Sequence, residues 1–276
     1  MYLLSIDLES WVQRPIYNLP LDTNLKRLDN EFSRVCTEKL LKLLNKYNRK
    51  ATFFVLGRLI EWYPEIIDRI LEQGHEIAYH GFSHEFVHNL SVSGFKREIE
   101  TGLELLRFHD VSPKGFRSPS FSRFQAMTDI LKVYGYQYDS SVIPIRTPLY
   151  DGSEFKNSKP FVWENGLVEI PISVFVSGSI KIPLGGFYLR LMGPHIQSYF
   201  YKRLYDSIHI VMLYIHPWEL FKYNDYGAGH LPIYKRLFAK YRLPALDSFE
   251  AVLERYPWDN VQNNWKTICE MAMKSN

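Results

Sequence analysis

Short apolar runs alternate with stretches of helical period from the first residue to beyond residue 215. No other feature constrains the fold as strongly. Tyr2–Asp7, ATFFVL at Ala51–Leu56, EIAYH at Glu76–His80 and IHIVMLYI at Ile208–Ile215 read as buried strands. Lys114–Arg117, Gln137–Ser140 and Leu167–Ile172 read as shorter ones. Between them, Cys36, Leu40, Leu43, Leu44 and Tyr47 predict a helix over 31–47. Ile66, Ile67, Ile70 and Leu71 predict a second, with Pro64 at its start and Gly74 as its stop. Phe95, Ile99, Leu103 and Leu106 mark a third, Thr128–Tyr134 and Pro194–Leu204 read as two more, and the tail holds one or two. Roughly seven strands separated by helices argue for parallel pairing through crossovers. The 276 residues would fill one α/β barrel of about 250 residues. An open doubly wound sheet satisfies the same pattern. Residues 145–166 and 173–193, rich in Gly, Pro, Ser and aromatics, are expected to be loop insertions in a single domain.

Polar residues gather where these strands end. In parallel α/β folds the carboxyl ends of the strands share one face, which holds the site. Asp7 and Glu9 close the first strand, and residues two apart point to one side. Two carboxylates so placed repel unless a cation lies between them. His80 ends a strand, and His84 follows four residues on in HGFSH. On a helical turn that spacing turns both imidazoles to one cation. Two His and one carboxylate leave positions open for water and substrate, as a catalytic site requires. His84 and His88 form a rival pair, whereas His80 ends the strand directly and faces the pocket. His75 lies at the opposite end of that strand, and His109, His195, His209 and His230 lack a partner at metal spacing. Arg117 in GFRSPSFS can hold a carboxylate. His216 in LYIHPWEL suits a tuned acid or base, or a satisfied core histidine. Trp218 and Glu219 line the mouth or pack.

Composition narrows the class of function. Lys+Arg exceed Asp+Glu by 33 − 30 = 3, which argues against a nucleic-acid partner. Hydrophobic residues at 46% and charged residues at 23% exclude a disordered chain. No run of about 18 apolar residues occurs, so no stable membrane anchor is expected. The opening MYLLSIDLESW lacks the basic start and cleavage site of a secretory signal, and Cys36 and Cys269 form no disulfide framework. A cytoplasmic location is expected, with transient contact at the inner membrane face.

Taken together and in order, SIDLESW, ATFFVLG, GHEIAYHGFSH, GFRSPSFS, YDSSV, GLVEIPIS, PLGGFYLRL and LYIHPWEL resemble the polysaccharide deacetylases of the NodB-homology group, carbohydrate esterase family four. Within it the chain resembles the branch associated with exopolysaccharide and lipopolysaccharide gene clusters. The likeness runs from Leu3 to about Phe249 and implies a distorted (β/α)7-type barrel. It implies a hydrolase that takes the N-acetyl group from a sugar in surface-polysaccharide biosynthesis. Asp7 matches the base, Glu9, His80 and His84 the metal ligands, and Arg117 the residue that orients the base. Asp139 matches the acid that tunes the distal histidine, and His216 the general acid. A backbone N–H near Ser120 would serve the oxyanion. One divalent metal is implied, zinc first, with cobalt, nickel, manganese or iron as alternatives. The chain departs from the family in three places. Its first two acids are two apart and the second is Glu, Gly81 stands where Ser or Thr is common, and Ser140 stands where Trp usually follows the Asp.

The apolar segment Phe175–Met192, with Phe187 and Tyr188 beside Gly185 and Gly186, is expected to form a substrate surface or to pack over the barrel. A carbohydrate partner on a lipid or nucleotide carrier follows from the expected location. The rival readings are a metal-independent cyclic-amide hydrolase on the same fold, a catalytically inactive carbohydrate-binding relative and a structural protein.

Overall fold

A computed structural model describes residues 1–13, 24–147, 150–221 and 245–275. His230 lies outside the described residues. Thirteen strands are described. They are β1 (Tyr2–Leu8), β2 (Thr52–Val55), β3 (Glu76–Tyr79), β4 (Gly115–Phe116), β5 (Tyr138–Asp139), β6 (Arg146–Thr147), β7 (Tyr150–Asp151), β8 (Phe161–Val162), β9 (Val168–Glu169), β10 (Val174–Ser177), β11 (Ile180–Pro183), β12 (Val211–Ile215) and β13 (Trp258–Asp259).

The main sheet runs β12-β1-β2-β3-β4-β5-β9-β8, with β13 added beside β1. Every pairing from β12 to β9 is parallel, so seven parallel strands form the curved wall of a distorted, partly open barrel. Only β8 at the far edge runs antiparallel. The seam between β9 and β12 is spanned by single contacts. The Met212 N–H donates to Ser173 Oγ (2.8 Å), and the segment at Leu184 and Gly185 lies beside Tyr214.

The parallel strands β1 to β5 are short and buried on both faces, as parallel strands under helices must be. In β1, Leu4, Ile6 and Leu8 fill one side, while Ser5 and Asp7, also buried, turn to the other. The helix Phe32–Lys46 buries Phe32, Cys36, Leu40, Leu43 and Leu44, the spacing that predicted it. The helix Val92–Arg107 starts at Ser91, whose hydroxyl accepts the Gly94 N–H, and buries Phe95, Ile99, Gly102 and Leu106. A polar network sits at the amino ends of the strands, away from the site: buried Glu76 accepts from Thr52 Oγ1 (2.7 Å), Tyr138 Oη (2.8 Å) and Gln262 N (2.9 Å).

Three local expectations are corrected. Ile208 ends a helix instead of opening a strand, because His209 adopts a left-handed φ of 58° and β12 begins at Val211. Residues 173–193 are not irregular. Strands β10 and β11 make an antiparallel hairpin, and the helix Gly186–Ile208 takes in Phe187 and Tyr188. That helix kinks at Gly193 (φ 74°) beside Pro194. Finally, HGFSH is a bent loop and not a helical turn, since Gly81 (φ 79°) and His84 (φ 65°) both take left-handed backbone.

Candidate metal centre

The carboxyl ends of β1, β3, β4 and β12 bring together the residues that the strand-end pattern singled out. Glu9, His80 and His84 are 4%, 2% and 9% exposed, and one ligand atom from each lies within 4.8 Å of the others. Glu9 Oε2 is in contact with His84 Nε2 and 3.7 Å from His80 Nε2. Among the described residues this is the one group of three or more His, Cys, Asp or Glu so arranged. His88, the rival, is exposed and stacks on Phe86.

The hydrogen bonding fixes what this cluster can hold. His80 Nδ1 lies 2.8 Å from the carbonyl oxygen of Arg117. A carbonyl only accepts, so Nδ1 carries the proton and Nε2 presents a lone pair to Glu9. Burial alone would push the Glu9 carboxyl up, but the neighbouring His84 and His216 outweigh it and hold the group well below the usual carboxylate range. An anionic carboxylate and an imidazole lone pair facing each other in a buried pocket lack an acceptor of their electrons. A divalent cation fits this set, and the carbonyl behind His80 is the outer support that such ligands use.

Asp7 stands beside the cluster, paired with the buried guanidinium of Arg117. Arg117 is held on all sides. It donates to Ser5 Oγ (3.0 Å), the Ser140 carbonyl (3.1 Å) and Ser140 Oγ (2.9 Å), and its guanidinium lies 4.0 Å from the centre of the Phe54 ring. Ser140, the departure in YDSSV, thus seats the arginine. His216 closes the other side, its Nε2 3.4 Å from Glu9 Oε1 and 4.0 Å from Asp7 Oδ2. Trp218 stacks on the His216 ring at 4.6 Å and packs with Trp11, Val12, Phe32 and Cys36.

Asp139 is not brought to His216. It lies in register opposite Glu169 of β9, both fully buried, and accepts from Ser141 Oγ (2.5 Å). Burial pushes Asp139 up to about 6 and raises Glu169 as well. The acid at His216 is Glu219, whose Oε2 lies 3.2 Å from Nδ1 and accepts the His216 N–H at 3.1 Å. Burial works against charge on His216, yet Glu9, Glu219 and Asp7 outweigh it and raise its pKa. Gly185 and Gly186 permit this packing. A Cβ on Gly186 would stand 2.0 Å from Glu219 Oε2, and one on Gly185 2.6 Å from the Tyr214 ring. Ser120 sits in a turn after β4 with φ 52°, followed by Phe121 at φ 56°. Phe187 is 47% exposed and lies against Tyr188, with ring centres 5.2 Å apart. The sequence pattern did not single out Glu98, which holds the HGFSH loop. Its only signal is its place between Phe95 and Gly102 on the edge of a buried helix face.

Residues 29–138 match the family profile described as polysaccharide deacetylase, and residues 140–266 match a domain of unknown function, DUF3473. A peptidoglycan deacetylase of Helicobacter pylori is 30% identical over 106 residues, covering 38% of this chain and 36% of that protein. Chitin deacetylase 1 of Saccharomyces cerevisiae is 38% identical over 100 residues, covering 36% and 32%. The chain thus spans about a third of the length of these curated relatives. The peptidoglycan deacetylase PdaC of Bacillus subtilis shares the fold over 98% of this chain and 91% of that one, with a TM-score of 0.51 at 14% identity. PuuE allantoinase shares it over 92% and 83%, with a TM-score of 0.61 at 13% identity. Among the described residues no helix is long and apolar enough to cross a membrane. The polysaccharide deacetylase match over 29–138 takes in His80 and His84, two of the three residues that the fold brings together at its strand ends.

Proposed function

We propose that this protein removes an N-acyl group, acetyl first, from a sugar in surface-polysaccharide assembly by metal-dependent hydrolysis. The reading rests on one observation. Three buried ligands converge within 4.8 Å, with an arginine-held aspartate on one side and a histidine on the other. Glu9, His80 and His84 would hold the metal, and zinc suits two imidazoles and a carboxylate with a position left open. When bound, such an ion supplies Lewis acidity at the acyl carbonyl and lowers the pKa of water.

The remaining steps belong to the chain. Arg117 takes Asp7 Oδ1, which leaves Oδ2 to receive the proton of the attacking water. A backbone N–H near Ser120 would serve the developing oxyanion. His216 has Nδ1 against Glu219, so Nε2 delivers a proton to the departing amine, which is otherwise a poor leaving group. Water adds to the carbonyl carbon, the C–N bond breaks, and the products are acetate and an amino sugar. The complete ligand set weighs against a metal-independent cyclic-amide hydrolase and against an inactive relative.

We place the substrate on a lipid or nucleotide carrier. Val176 and Ile180 on the β10–β11 hairpin, and Phe187, Leu191, Ile196 and Tyr199 on the adjoining helix, are all exposed. Lys181, Arg190, Lys202 and Arg203 lie in the same stretch with one acid, Asp206. An apolar surface among bases suits a carrier with phosphates and a lipid tail. Metal analysis combined with acyl release from lipid-linked, nucleotide-linked and polymeric N-acetyl sugars tests this. Stoichiometric metal and acetate release from a carrier-linked sugar are expected. Protein without metal and without release would overturn the reading.

A further inference from the structure

The two histidines of the metal cluster are supported in different ways. The His80 ring is fixed through Nδ1 by the Arg117 carbonyl. Among the described residues, the buried His84 Nδ1 has no hydrogen-bond partner. Nothing polar behind its ring sets its direction, so the backbone of the turn must. That backbone is strained, because His84 is a non-glycine residue at φ 65°. Such a conformation persists only where the surroundings impose it.

The surroundings are a two-sided clamp. On one side, the carbonyls of Gly81 and Phe82 accept from Gly57 N (2.8 Å) and Arg58 N (3.1 Å), the first amides of the helix Gly57–Trp62. On the other, Glu98 reaches from the helix Val92–Arg107. Its Oε2 accepts from Phe82 N (2.7 Å) and Ser83 N (3.0 Å), and its Oε1 accepts from Ser83 Oγ (2.7 Å). One carboxylate therefore takes three hydrogen bonds from the two residues just before His84. The same helix is locked to β3, since the Glu98 carbonyl accepts from Tyr79 Oη (2.7 Å).

We infer that Glu98 is a positioning residue that pre-organises the His84 ligand, so that the metal-binding turn is formed before the metal arrives. This rests on the metal reading of Glu9, His80 and His84. Glu98 contributes through backbone amides and a hydroxyl, at one remove from the ion. Outer supports of this kind change metal affinity by roughly 10- to 100-fold when removed. Gln is a close substitute, because its oxygen can accept both amides while its nitrogen donates to Ser83 Oγ.

The test uses the full chain stripped of metal, with Zn²⁺ as the probe. Zinc affinity is measured by chelator competition, and amide exchange at Phe82 and Ser83 is followed by NMR in the metal-free protein. The wild type should protect both amides without zinc. Glu98→Ala should lose that protection, regain it on adding zinc, and bind zinc at least tenfold more weakly, while Glu98→Gln stays within about threefold of the wild type. Melting of the metal-free forms separates general unfolding from this effect. Two results would overturn the inference: Glu98→Ala with wild-type zinc affinity, or wild-type Phe82 and Ser83 amides that exchange freely without metal. A wild type that binds no zinc at all would instead sink the metal reading beneath it.

Discussion

Asp7 and Glu9 are two residues apart on one strand exit, yet their neighbours give them different work. The Glu9 carboxylate meets the imidazoles of His80, His84 and His216, whereas Asp7 meets Arg117 and faces His216 at 4.0 Å. Asp7→Asn keeps the size and removes the proposed proton acceptor. We expect it to retain stoichiometric metal while turnover falls by roughly 10²–10⁴-fold, the range of general-base catalysis. The substitution also leaves the buried Arg117 cation without its carboxylate, so Tm should drop as well. Loss of metal from Asp7→Asn would show that Asp7 is itself a ligand. Glu219 touches the His216 ring, and under the proposed function it would act through that ring. Glu219→Ala frees the ring to rotate, so kcat should fall by roughly 10- to 100-fold with metal content unchanged. An unaltered kcat would leave Glu219 as packing only.

At the scale of elements, the start of the helix Gly186–Ile208 meets the segment that carries His216 and Glu219. Because a Cβ at Gly186 would lie 2.0 Å from Glu219 Oε2, Gly186→Ala should displace that carboxylate and reproduce the kcat loss of Glu219→Ala. Combining the two should add little beyond either, since both break one contact. Fully additive losses would refute this coupling. Phe187, on the same first turn and half exposed, can be cut to Ala at little cost in Tm. Its expected effect is a lower kcat/KM, and the reverse pattern would mark it as packing. The Gly185–Gly186 pair also shows why part of the molecule was hidden in the sequence. Two glycines beside aromatics read as a flexible loop, because their close approach to Tyr214 and Glu219 is a tertiary fact that local propensity does not carry. Long periodic elements such as Phe32–Lys46 and Val92–Arg107 were legible, since their buried positions recur every three or four residues. So was the gathering of Asp7, Glu9, His80, Arg117 and His216, because parallel strands send their carboxyl ends to one side. The partner of Asp139 was not legible. Its register opposite Glu169 joins strands about thirty residues apart, and nothing local to Asp139 encodes that pairing. HGFSH has the spacing of a helical turn, but its amides are taken by Glu98, so the loop bends instead.

The whole molecule has two polar ends, and the one away from the metal centre holds a buried histidine that responds to acid. His75 stands at the start of β3 and is 5% exposed. Its Nδ1 accepts the Ala51 N–H at 3.2 Å, so the proton of the neutral ring is on Nε2, which is buried without a partner among the described residues. Burial, aided by Lys50, pushes its pKa from 6.5 down to about 4. The unfolded chain therefore takes up a proton on His75 below about pH 6.5, while the folded chain refuses it until about pH 4. The sign follows: stability is full above the unfolded value and declines as pH falls toward 4. Between pH 7 and 4.5 this group should cost on the order of 2 kcal/mol. The buried acids Glu76, Asp139 and Glu169 have raised pKa values and act in the opposite sense, holding protons that the unfolded chain has already released. The net acid response of the wild type is thus a difference of opposed groups, and only a substitution isolates the histidine. His75→Asn can still accept the Ala51 N–H through its side-chain oxygen and does not titrate. Urea unfolding at pH 7 and 4.5 should show the variant losing about 2 kcal/mol less than the wild type across that interval. Parallel losses in the two proteins would mean that His75 is not the group that refuses the proton. Because His75 lies at the opposite end of β3 from His80, the same substitution should leave metal content unchanged, which separates the acid response of the fold from the chemistry of the site.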